Sequence, residues 1–121
     1  MSTIIATTLS NGSVSVPTAT VVNGSAKAWV NFNGTGTVAI RDSFNVASLT
    51  DNAAGDYRVN FSNAFGAADY VPAGSCNLAG LGYQENHYPQ TLTQMISRTI
   101  NSSGTLVDNN TITSNVHGDL A

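Results

Sequence analysis

Apolar and polar residues alternate in steps of two along three stretches of this chain. Ala28, Val30 and Phe32 alternate with Lys27, Trp29, Asn31 and Asn33, then Val38 and Ile40 with Ala39 and Arg41, then Tyr57, Val59 and Phe61 with Arg58, Asn60 and Ser62. That period belongs to strands with one buried face. Between the runs lie residues 33–36 (Asn-Gly-Thr-Gly) and residues 51–55, both rich in types that accept positive φ, which predict hairpin joints.

The flanks continue the pattern in shorter pieces. Residues 3–9 are β-branched enough for a strand, and Ser10-Asn11-Gly12-Ser13 closes it with a turn. Val14 and Val16 open another run, which Pro17 confines to an edge strand or an extended arm, and Asn23-Gly24-Ser25 ends it. Residues 71–83, with three glycines and a proline, predict an irregular or bulged strand. Residues 84–94 predict an exposed loop. Residues 95–100 resume strand character, and residues 105–108 with 111–117 predict a last strand pair. No stretch places apolar residues at i, i+3, i+4 and i+7 between caps, so no helix longer than a turn or two is expected. The pattern predicts an all-β chain: an antiparallel β-sandwich of eight or nine short strands in a meander. Residues 1–24 form an N-terminal arm and residues 25–121 the sandwich.

Composition sharpens this picture. A chain of 121 residues is long enough to bury a core without metal or disulfides. Only 9% of residues are charged, with four Lys/Arg against seven Asp/Glu. Asn, Ser and Thr, about a third of the chain, carry its polarity and favour turns and solvated strand faces. A net charge of −3 with scattered basic residues offers no footprint for a phosphate backbone, so nucleic acid is not an expected partner. No apolar run reaches bilayer-spanning length, so no membrane insertion is expected. The first residues lack the basic start and long apolar run of a signal peptide, which predicts synthesis in the cytoplasm. Cys76, the one cysteine, predicts a small buried hydrophobe.

Catalytic and metal chemistry find little support in the pattern. No Gly-x-Ser-x-Gly elbow is present, and a single Glu among scattered Asp residues defines no carboxylate pair. His87 and His117 have no ligand partner at metal spacing. Asp51, Asp56, Asp69 and Asp108 fall outside the Asp-x-Asp-x-Asp-Gly register of a calcium loop. No enzyme activity, metal or cofactor is expected.

The run Ala26-Lys-Ala-Trp-Val-Asn-Phe-Asn-Gly-Thr-Gly-Thr-Val-Ala-Ile-Arg41, with Ser43-Phe-Asn-Val46 and Asp51-Asn52 before Gly55-Asp-Tyr-Arg-Val-Asn-Phe61, resembles a domain of bacteriophage tail fibres and other small phage virion proteins. Residues 98–116, with Ser103-Gly-Thr-Leu-Val-Asp108, are similar to that domain's final hairpin. The resemblance spans about residues 26–117 and leaves out the first 24. It implies a non-enzymatic virion β-module that stands at a fibre end as a homotrimer, beside other virion proteins. Residues 74–94 match none of its motifs, so it implies no particular receptor.

Three groups of residues carry the functional expectation. Trp29 falls on the nominally polar face of its strand and needs cover, either from the domain's own second layer, the favoured source, or from a neighbouring copy. Val14 and Val16 would leave an apolar edge bare, which points to the same copy-to-copy interface. Tyr83, Glu85, Asn86, His87 and Tyr88 join aromatic rings to hydrogen-bonding groups, as a loop contacting a host-surface glycan or protein would. The expected function is a tail-fibre or spike knob for host attachment. A capsid decoration or cement protein, or a tail connector, is the alternative.

Overall fold

The computed structural model describes residues 1–77 and 82–121. Among the described residues ten strands and one short helix follow one another: β1 (Thr8–Ser10), β2 (Ser15–Pro17), α1 (Thr18–Gly24), β3 (Ala28–Asn33), β4 (Ala39–Phe44), β5 (Val46–Ala53), β6 (Asp56–Phe61), β7 (Val71–Cys76), β8 (Gln84–Thr91), β9 (Gln94–Ile100) and β10 (Ile112–His117). β1 and β2 form a hairpin of their own. The other eight make two antiparallel four-stranded sheets, ordered β4-β3-β10-β7 and β5-β6-β9-β8, which face each other across one core. The fold is therefore the all-β sandwich that the alternation predicts.

The alternation also selects the core. Ala28, Val30 and Phe32 of the first sheet meet Tyr57, Val59, Phe61 and Met95 of the second, with Ile112 and Val116 beside them. The Phe32 and Tyr57 rings meet edge to face with centroids 5.2 Å apart, and Phe65 and Tyr70 from the β6–β7 connection close one end against Phe61. The Tyr57 hydroxyl lies 2.7 Å from Asp108 Oδ1 and 2.8 Å from the Gly34 carbonyl, so the buried O–H has two acceptors. Burial, and then the Asp108 carboxylate, push its pKa well above the ordinary tyrosine value.

The connectivity is not a meander. The chain changes sheet after β4, β6, β7 and β9, so both central pairs, β3–β10 and β6–β9, join segments far apart in sequence. Asn45 makes the first change. It adopts φ 57°, a conformation Asn tolerates better than most residues, and its side chain bonds the Lys27 carbonyl at 3.0 Å and the Asn63 N–H at 2.7 Å.

Several local expectations are corrected. Residues 84–94 are not a loop: they form β8, a two-residue turn and the start of β9, and the Tyr70 hydroxyl holds that turn through the Thr91 and Gln94 carbonyls. Residues 105–108 do not pair with β10. Asp108 instead accepts the Gly55 N–H at 2.8 Å and faces Tyr57, while β10 crosses to the first sheet. The strand expected over residues 3–9 shrinks to β1, and the run from Val14 turns helical at Thr18, too briefly for helical periodicity to register. Where an irregular strand is predicted over residues 71–83, β7 is a regular edge strand through Cys76, which is buried, and residues 78–81 of that expectation lie outside the described residues. Among the described residues no helix is long and apolar enough to cross a membrane.

Candidate functional site

The five residues expected in one loop are divided by the pleat of β8. Asn86 points outward and is exposed, and Tyr88 lies on the same face with the Arg98 guanidinium 5.6 Å from its ring centroid. Tyr83 is half-buried just before the strand. Glu85 and His87 point inward instead, and their side chains are only 7% and 4% exposed. Alternation within β8 would have made this division, but Pro89 and the polar run hid the strand itself.

Inside, Glu85 Oε2 lies 2.9 Å from His87 Nε2. His87 pairs across the ladder with Ser97, and Ser114 pairs with Gly74 on the facing sheet. Glu85 Oε1, His87 Nδ1, Ser97 Oγ and Ser114 Oγ are buried with no hydrogen-bond partner. Gly74 is what admits this layer: a Cβ there would stand 2.0 Å from the Thr113 carbonyl oxygen and 2.6 Å from His87 Nε2. A carboxylate thus orients an imidazole, but among the described residues no serine hydroxyl is hydrogen-bonded to it. A nucleophile–base pair would require that contact. No three His, Cys, Asp or Glu among the described residues group to hold a metal ion.

A second candidate lies on the outer face of the first sheet. Trp29 is 38% exposed there, so the domain's own second layer does not cover it. Its cross-strand neighbours are Phe44 on β4 and Asn115 on β10, and Asn115 pairs in turn with Ala73 on β7. The next outward row reads Asp42, Asn31, Thr113 and Ser75. Phe44 is 53% exposed and escaped sequence reasoning. Counted from the inward Ile40, Phe44 should also point inward, but a bulge between Asn31 and Phe32 of the β3 register makes Arg41 an extra residue and reverses the remainder of β4.

The polar groups of this face are already oriented. Arg41 Nη1 donates to Asn31 Oδ1 at 3.1 Å, which fixes the amide so that its oxygen faces the guanidinium, and a second Arg41 nitrogen donates to the Asn110 carbonyl. Asp42 Oδ1 accepts the Ser43 N–H at 2.9 Å, and the Ser75 and Thr113 hydroxyls lie 3.0 Å apart. Beside Trp29 the small residues of β7 leave a shallow trough of about 580 Å³ whose floor is Ala73, Gly74, Ser75 and Thr113.

The third candidate is the N-terminal segment. Residues 1–26 contain no charged side chain. Residues 1–17 are all exposed, and no residue of α1 is buried. Ile4, Ile5, Leu9, Val21 and Val22 line an apolar groove of about 430 Å³, and Val14 and Val16 are exposed on the hairpin side. The Lys27 ammonium bonds the Val22 and Ser25 carbonyls and closes the helix end.

The molecule defined by these features is an antiparallel β-sandwich that carries an N-terminal segment without charged side chains, grooved by exposed apolar residues, and an open aromatic face. No protein family, no curated protein and no solved structure matches the chain.

Proposed function

We propose that this chain is a non-enzymatic structural module of a bacteriophage virion, a tail-fibre or spike knob that contacts the host surface as a homotrimer. Residues 1–24 join copies to one another and to other virion proteins, and the sandwich is the displayed part. One observation carries the reading. A seven-residue helix and a hairpin of three-residue strands, without a buried side chain between them, are too small to hold their shape alone. Their bare apolar surface and lack of charge suit packing against identical copies, which bring no repulsion. The phage assignment itself rests on the resemblance carried by residues 26–61.

Avidity supplies the mechanism. Several weak sites on one rigid assembly convert modest affinities into lasting adhesion. Asn86, Tyr88 and Tyr83 stay in the proposal as host contacts, while Glu85 and His87, facing inward, serve the strand that presents them.

Sedimentation equilibrium tests the assembly. The chain is expected to be trimeric at micromolar concentration, and the double variant Val16→Asp, Val22→Asp to be monomeric with an unchanged β-type circular dichroism spectrum. A wild-type monomer at tens of micromolar would remove the trimer. Gold labelling of purified particles tests the location: label at fibre or spike tips is expected. Label over the capsid would favour the decoration or connector reading, and particles without label would overturn both.

A further inference from the structure

We propose that the outer face of the first sheet is a carbohydrate site: Trp29 and Phe44 stack on the apolar face of a pyranose ring, and Asn31, Asp42 and Asn115 bond its hydroxyls. The sugar is neutral and belongs to a surface glycan. This inference takes its purpose from the attachment reading above, but it stands on observations of its own.

Composition of the face selects the ligand class. The two aromatic residues are direct ladder partners, with backbones about 5 Å apart, and a row of amide, carboxylate and hydroxyl residues runs parallel to them one pleat repeat away, about 7 Å. A pyranose presents that same pairing of surfaces, C–H groups on its faces and hydroxyls around its rim. Each hydroxyl both donates and accepts, and the row supplies both partners, the Asn31 amide hydrogens and the Asp42 carboxylate. The contacts of Arg41 to Asn31 and of the Ser43 N–H to Asp42 hold these groups before any ligand arrives, which lowers the ordering cost of binding.

Other occupants fit less well. A protein partner of standard size covers roughly 800 Å² per side around a hydrophobic centre, whereas here the apolar part is two rings bordered by polar side chains. A polyanion would need a basic patch, and Arg41 has both of its guanidinium contacts inside the chain, beside Asp42. The trough next to Trp29, at about 580 Å³, has the capacity of a small-molecule site. Its floor of Ala73, Gly74 and Ser75 lets a second sugar lie lower than the one stacked on the indole.

Trp29 is the single tryptophan of the chain, so its fluorescence reports on this site alone. The full-length protein is titrated with neutral hexasaccharides of α-linked glucose, β-linked glucose, mannose, galactose and N-acetylglucosamine, with heparin as the charged control. At least one neutral hexasaccharide is expected to change the emission saturably. Trp29→Ala, followed by calorimetry, should lower that affinity at least about tenfold, and Trp29→Phe should restore part of it. Asn115→Ala and Asp42→Ala should weaken binding without shifting the melting temperature. A flat response to all five sugars overturns the proposal. So does a preference for heparin. Emission that shifts to the blue with protein concentration overturns it too, since a second copy would then cover Trp29. Particle labelling is independent of all these outcomes: an unlabelled particle leaves a measured sugar site standing, and label at the fibre tip without sugar binding removes only this site.

Discussion

The two outer faces of the sandwich handle the same sheet geometry in opposite ways. On the second sheet the outward rows are tied together. Arg98 bridges to Asp56 at 2.8 Å and lies over Tyr88, and Asn60 bonds Ser48, Thr50 and Gln94; the outward Ile96, paired between Arg58 and Tyr88, is only 4% exposed. On the first sheet the outward aromatic pair has no such cover, and the organised polar groups stand beside the rings rather than across them. One face ties most of its side chains to one another, and the other leaves two aromatic rings exposed, so its stability rests more heavily on the shared core.

Mutations in descending order of effect can break this contrast. Phe32→Ala removes the ring that meets Tyr57 under both faces and is expected to destabilise by about 3–5 kcal/mol in urea denaturation. A loss below about 1 kcal/mol would mean the core does not support the open face. Tyr57→Phe deprives Asp108 and the Gly34 carbonyl of their buried donor and should cost about 1–3 kcal/mol.

The same tyrosine sets an alkaline limit. Its pKa is raised on folding, so the unfolded chain releases the proton first, from the ordinary value of 10.0 upward. The Tyr57 contribution to stability is therefore level through neutral pH and falls as pH rises above 10. In Tyr57→Phe the fall is shallower but not abolished, because burial raises Tyr70 as well. An identical alkaline slope in the variant would place the effect elsewhere.

The faces themselves come next. Asp56→Ala on the second face breaks a half-exposed ion pair and should cost about 0.5–1 kcal/mol, less in high salt. Phe44→Ala on the first face should change stability by no more than about 0.5 kcal/mol while it weakens sugar binding. Equal stability losses from these last two would erase the distinction between a tied face and an open one.

Much of this was legible in the sequence, and the misses have identifiable causes. The inward sets Ala28-Val30-Phe32 and Tyr57-Val59-Phe61 followed from period-two alternation, because each side is decided by the backbone of a single strand. The hairpin joints at residues 33–36 and 51–55 followed from turn chemistry, and Gly55 indeed adopts φ 66°. β8 was lost because proline and polar residues mask a strand that its neighbour β9 stabilises from outside.

What the sequence by itself determined is the class of fold, the inward sets of β3 and β6 and the outward position of Trp29. These depend on neighbours within one strand or on bare composition. Only the tertiary structure decided the sheet order, the burial of Glu85 against His87 and the partnership of Trp29 with Phe44. Each of those depends on register between segments distant in the chain, and a single extra residue at Arg41 is enough to turn a strand over.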